Sequence, residues 1–203
     1  MKHLLLIMLS ILFFACSDSY ESEAEMMTFL KDPINEYIQF KRTNGVDISF
    51  MYRPTDLLFL QEMDDLENLS VLDALRDKYD NYLYFNLSMS KDGEELLSIV
   101  PKDRNQFGAM VNELSFGMRD KIHLYNTSRD TIEMVDYVYP RMFGYSKSTS
   151  MLLIYPRDER TMDSDFITLE IQDLGLNTGA LKFRIDKTKI KSEPSLAFDK
   201  MKD

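Results

Sequence analysis

The chain has 203 residues, 44% of them hydrophobic and 12% aromatic, with few Gly and Pro, a composition that excludes intrinsic disorder and low-complexity architecture. Its formal charge of −10 becomes −11 once Lys2 leaves with residues 1–15, and so acidic a surface repels nucleic acid and anionic headgroups. Cys16 is the only cysteine, so everything after it lacks a disulfide, a thiolate metal ligand and a cysteine nucleophile.

Residues 1–15 read as a signal peptide. Lys2 and the α-amine form a positive n-region, and the apolar run from Leu4 to Phe14 is far shorter than the roughly 20 residues a bilayer-spanning helix needs. Phe13-Phe14-Ala15-Cys16 resembles the lipobox of bacterial lipoproteins, with Phe13 where that family usually has Leu. The resemblance covers only these residues. It implies that Cys16 becomes the first residue of the mature chain and carries lipid, that the chain has a membrane partner through that lipid, and, together with the acidic stretch that follows, that it resides at the outer membrane of the cell envelope, in either leaflet. Several acyl chains, at about 0.8 kcal/mol per buried methylene, make such anchoring essentially permanent. The alternative is an ordinary secretory signal cut after Ser17, with Ala15 and Ser17 as the small residues the peptidase wants. The acidic stretch after Cys16 resembles the surface-export signal of Bacteroidetes-type lipoproteins, and residues 16–32 are expected to form a flexible acidic tether, with a short helix over Met26 to Leu30 stopped by Pro33.

Residues 33–190 are expected to form a single α+β domain, a mostly antiparallel sheet with helices from the first half packed on one face. Asn44-Gly45 between two alternating runs predicts a type I′ hairpin whose apolar face carries Ile38, Phe40, Val46, Ile48 and Phe50. Helices follow over roughly 56–67, capped by Thr55, and from Ser70 through Tyr79. Residues 81–90 alternate as a half-buried strand, with Leu83, Phe85, Leu87 and Met89 inward and Tyr82 and Tyr84 outward. Asp103-x-x-Gln106 resembles a capping box and opens a helix over 104–118. Strands are predicted over 121–125, 131–139 and 150–155, the last one central, and two alternating strands around Leu169 and Phe183 complete the domain. Residues 191–203, charged and without a period, read as a tail.

Catalytic signals are weak. His123 is the only histidine after residue 15 and lies within a strand, as a structural histidine would. Gly144-Tyr-Ser146-Lys-Ser148 resembles half of the α/β-hydrolase nucleophile elbow, but Ser148 replaces the second glycine and no histidine follows Ser146. Ser88-Met-Ser-Lys91 spells the S-x-x-K of penicillin-binding proteins, yet it ends a strand where that family opens a helix. Phosphate-binding glycine loops are absent, and the acidic groups Asp64-Asp65-Glu67 and Asp158-Glu159 with Asp163 and Asp165 lack EF-hand spacing. No catalytic, metal or cofactor residue is assigned. Candidate interaction residues are Tyr82 and Tyr84 on their strand, and Arg141, Phe143 and Tyr145 in the Gly/Ser/Thr-rich connection that follows Pro140. The sequence points to a non-catalytic interaction or accessory module with an envelope protein as partner; the alternative is a carboxylate- or metal-dependent hydrolase.

Overall fold

A computed structural model describes residues 18–62, 71–99, 103–142 and 144–201. The segment expected to be a loose tether is built into the body of the protein from Asp18 onward. Ser19–Tyr20 forms strand β1, paired in parallel with Ser195 and Leu196 near the other end of the chain. Ser22 caps helix α1, Glu23–Lys31, by accepting from the Glu25 N–H at 3.2 Å, and Glu23 and Glu25 sit at the positive end of the helix dipole. Met26 and Leu30, one turn apart, are fully buried. The short helix expected over Met26 to Leu30 is therefore present, and it starts three residues earlier, at Glu23.

Strands β2, Ile38–Thr43, and β3, Val46–Arg53, join through Asn44 and Gly45, whose φ angles of 48° and 76° are those a type I′ turn requires. This two-residue loop pairs Thr43 with Val46, so Gln39 lies opposite Phe50, whereas Ile38 and Phe40 lie opposite Met51 and Ser49. The expected common face is therefore corrected. Side chains alternate with period two, and the turn sets Ile38 and Phe40 on the face away from Val46, Ile48 and Phe50.

Helix α2, Asp56–Phe59, continues as a 3-10 turn over Leu60–Glu62. Residues 63–70, with Asp64, Asp65, Glu67 and the expected helix start at Ser70, lie outside the described residues. Helix α3, Leu72–Tyr79, leads into β4, Tyr82–Lys91, which buries Leu83, Phe85, Leu87 and Met89 as its alternation predicts. After the Asp92-Gly93 turn comes the short helix α4, Leu96–Ile99. Helix α5, Arg104–Asn112, starts at Asp103, whose carboxylate accepts from the Asn105 N–H at 2.8 Å. The run expected to stay helical to residue 118 changes pitch: Glu113–Gly117 forms a π-turn before helix α6, Met118–Lys121.

Strand β5, Ile122–Tyr125, pairs with β6, Thr131–Ile132. The strand expected over 131–139 is split, because β7, Asp136–Val138, pairs instead with β8, Thr149–Pro156. Arg119 fixes the crossing by donating to the carbonyls of Met134 at 2.6 Å and Val135 at 2.7 Å. Helix α7, Glu159–Met162, strands β9, Phe166–Ile171, and β10, Leu181–Asp186, and helix α8, Lys187–Lys191, precede the closing strand β11, Ser195–Leu196.

The result is an α+β fold with two antiparallel sheets, ordered β2-β3-β4-β8-β7 and β10-β9-β5-β6. Their inner faces share one apolar core, in which the Phe50 ring lies 5.0 Å from Phe85 and 5.6 Å from Phe183 of the opposite sheet. At the rim the Gln39 amide bridges to β10, accepting from the Arg184 N–H at 3.2 Å and donating to the Arg184 carbonyl. Helix α3 packs on the outer face of the five-stranded sheet through Tyr79 and Tyr84, whose rings lie 5.9 Å apart.

Of the expected tail over 191–203, residues 191–201 are described, and they are corrected to a segment packed into the body. Leu196 and Phe198 are buried, the Phe198 ring stacking on Phe59 at 5.4 Å. Glu193 accepts from Arg157 at 2.5 Å, from the Tyr52 hydroxyl at 2.8 Å and from the Thr55 N–H at 3.0 Å. Asp56, also buried, holds Arg76 by two bonds of 3.1 and 3.0 Å and accepts from the Leu196 N–H at 2.7 Å. Thr55, expected to cap α2 with its side chain, makes no such bond and instead faces Glu193.

Candidate functional site

The strands give the molecule two unlike ends. At one end β1, β11 and the Arg157–Glu193–Tyr52 cluster gather both termini of the described chain. At the other, about 30 Å along the ten residues of β4, lie the turns at Gly45 and Gly93 and the loop between β9 and β10, which Asn44 touches through the Asn177 carbonyl.

A cleft of about 590 Å³ opens at this second end, within the size range of ligand sites. Ile99, Ala109 and Met110 form one apolar wall, and Leu174 and Leu176 of the β9–β10 loop form the other. Asp173 shapes that loop, accepting from the Leu176 N–H at 2.8 Å. Partial burial opposes its charge, but the N–H groups of Leu176, Thr178, Gly179 and Gly175 outweigh this and hold its carboxyl below the ordinary carboxylate value.

The π-turn supplies the polar side of the cleft. Glu113 folds back over Gly117, where a Cβ would come within 2.9 Å of the carboxylate, so the glycine makes room for it. Lys121 Nζ stands 3.8 Å from Glu113 Oε1, too far for a hydrogen bond, and that buried oxygen makes none. Lys91 and Gln106 complete the rim. The cleft can therefore take a small molecule with an apolar body and a polar end able to meet ammonium groups and a carboxylate. No family model, curated protein or solved structure matches this chain.

The residues singled out in the sequence fall in different places. Tyr84 was expected on the outward face as a binding surface; it is 4% exposed, covered by α3, with its hydroxyl donating to the Tyr79 carbonyl at 3.2 Å. Burial pushes its phenol pKa well up. Tyr82, half-buried beside it with ring centroids 6.4 Å apart, lies at the same end of β4, far from the cleft. Arg141 and Tyr145 are at the cleft end, where the Gly144 N–H donates to the buried Glu95 carboxylate at 2.5 Å. Arg141 donates to Ser115 of the π-turn at 2.9 Å, which joins this loop to the element that carries Glu113. Tyr145 is 91% exposed. Cys16 and Phe143 lie outside the described residues.

His123 sits in β5 opposite Glu170, its Nε2 at 3.1 Å from the Gln172 amide nitrogen. Ser146 closes a local turn with Ser148, donating to its carbonyl at 2.9 Å. Asp158 caps α7 by accepting from the Thr161 N–H at 2.8 Å. Among the described residues no three His, Cys, Asp or Glu side chains are grouped to hold a metal ion. Sequence reasoning missed Glu113, Gly117 and Lys121, although a glycine inside a helical run, four residues from each of two opposite charges, marked the place.

Proposed function

We propose that this chain is a lipid-anchored lipoprotein of the outer membrane, and that its domain is a non-catalytic interaction or accessory module for another envelope protein. The observation that carries the reading is Phe13-Phe14-Ala15-Cys16 directly after a short apolar run, with no other thiol in the chain. The structure of the domain is compatible with it, since the buried carboxylates of Asp56 and Glu95 and the half-buried one of Glu193 each accept structural hydrogen bonds. The joined Arg141 loop and π-turn, with exposed Phe116, Met142 and Tyr145, form the surface that a partner would meet.

The experiment is metabolic labelling with an alkyne palmitate analogue in a bacterial host. The wild-type chain should take up label and fractionate with membranes, and Cys16→Ser should lose both properties. A mutant that still reaches the membrane in mature form would show that lipid on Cys16 is not the anchor.

A further inference from the structure

We propose that the domain stands directly on the bilayer by its β1–β11 end and holds the cleft and the Tyr145 loop away from it; this rests on the lipidation of Cys16. The Ser195 N–H donates to the Asp18 carbonyl at 3.0 Å, the Ala197 N–H donates to the Tyr20 carbonyl at 2.8 Å, and the Tyr20 ring packs on Phe29 at 5.2 Å. The chain is thus fixed to the body from Asp18. Cys16 is two residues earlier, and a fully extended chain covers at most about 3.6 Å per residue, so the two Cα atoms lie within about 7 Å. That reach is no more than the roughly 5–8 Å depth of one headgroup layer, the difference between the full and hydrocarbon thicknesses shared over two leaflets. The lipid therefore has no tether with which to hold the domain off the surface.

The lipid this end meets is a zwitterionic one. Asp18, Glu21, Glu23, Glu25 and Asp199 are exposed around β1, and Lys200 is already paired with Glu21 at 3.0 Å. Such a collar within a Debye length of the surface is repelled by anionic headgroups. The geometry also selects between the two candidate surfaces. Tyr82 belongs to the membrane end of β4, whereas the cleft and the Tyr145 loop are about 30 Å farther out, where a soluble partner or ligand can reach them.

The test uses the full-length lipidated protein reconstituted in vesicles of phosphatidylcholine and phosphatidylethanolamine. Lipid occupies the Cys16 thiol, so a fluorophore is placed on Lys200→Cys at the membrane end or on Arg42→Cys, an exposed site beside the Asn44-Gly45 turn, and is quenched by headgroup nitroxide lipid. Quenching severalfold stronger at 200 than at 42 is expected, with the contrast shrinking as phosphatidylglycerol replaces phosphatidylcholine. Inserting about 12 Gly/Ser residues after Ser17, with a reach of about 20 Å, should abolish the contrast. Equal quenching at the two sites on vesicle-bound protein, or a contrast that survives the insertion, overturns the proposal. Absence of lipid on Cys16 by mass spectrometry overturns the underlying reading instead.

Discussion

Glu193 shows how much one side chain can hold. It and Arg157 are mostly buried, with side-chain exposures of 19% and 16%, and Arg157 also donates to the Tyr52 hydroxyl at 2.7 Å and to Asp80 at 3.0 Å. Burial works to lower the Arg157 pKa, but Tyr52 and Glu193 beside it outweigh that, and the guanidinium stays charged well above its ordinary value. Glu193→Gln removes the charge that Arg157 was desolvated to meet and should cost about 3 kcal/mol, as when one member of a buried ion pair is lost. Tyr52→Phe deletes a hydroxyl that donates to Glu193 and accepts from Arg157 but leaves that ion pair in place, and should cost about 2 kcal/mol. Urea unfolding of the two variants checks the order. Equal losses would mean that shape, and not charge, holds the C-terminal segment in place.

At the scale of elements, that segment behaves as an inner strap and not as an appendage. Removing residues 192–203 deletes Glu193, Leu196 and Phe198 together, strips β1 of its partner and leaves Asp56 without the Leu196 N–H. Phe and Leu truncations in a core cost about 2–5 kcal/mol each, against a total stability of about 5–15 kcal/mol for an ordinary domain. The truncated chain should therefore fail to fold, seen as lost far-ultraviolet circular dichroism and rapid proteolysis; a cooperative thermal transition in it would refute the strap. The contrast with the hairpin explains what was legible. Asn44-Gly45 is a local instruction, and the alternation of β4, β9 and β10 is visible within one strand, so these elements and the α+β class could be read directly. The segments 18–32 and 191–201 fold through contacts between the two ends of the chain, which no window of neighbouring residues contains. The π-turn was hidden for a related reason: its glycine answers a carboxylate four residues earlier, and the helical period around it is intact.

For the molecule as a whole, the buried tyrosines set an alkaline limit. The chain has 11 Tyr and no Trp, and its buried tyrosines include Tyr52 and Tyr155 in the core and Tyr84 beneath α3, each nearly without exposure. Burial raises all three phenol pKa values, with Glu193 adding to the effect at Tyr52 and Tyr79 at Tyr84. Below about pH 10 these phenols are protonated in both folded and unfolded chains and contribute no pH dependence. Above it the unfolded chain releases protons that the folded one keeps, so the unfolded state binds fewer protons and stability falls as pH rises. Each such phenol costs about 1.4 kcal/mol per pH unit, so three together cost about 4 kcal/mol per unit. A domain in the lower part of the usual 5–15 kcal/mol range should then unfold by about pH 12. The tyrosinate absorbance should rise in one cooperative step that coincides with the loss of sheet circular dichroism. Tyr155→Phe should move that step to higher pH, because it removes one of the three phenols and a buried hydroxyl that has no hydrogen-bond partner among the described residues. Gradual ionisation with the sheets intact to the same pH would show instead that the core admits hydroxide without opening.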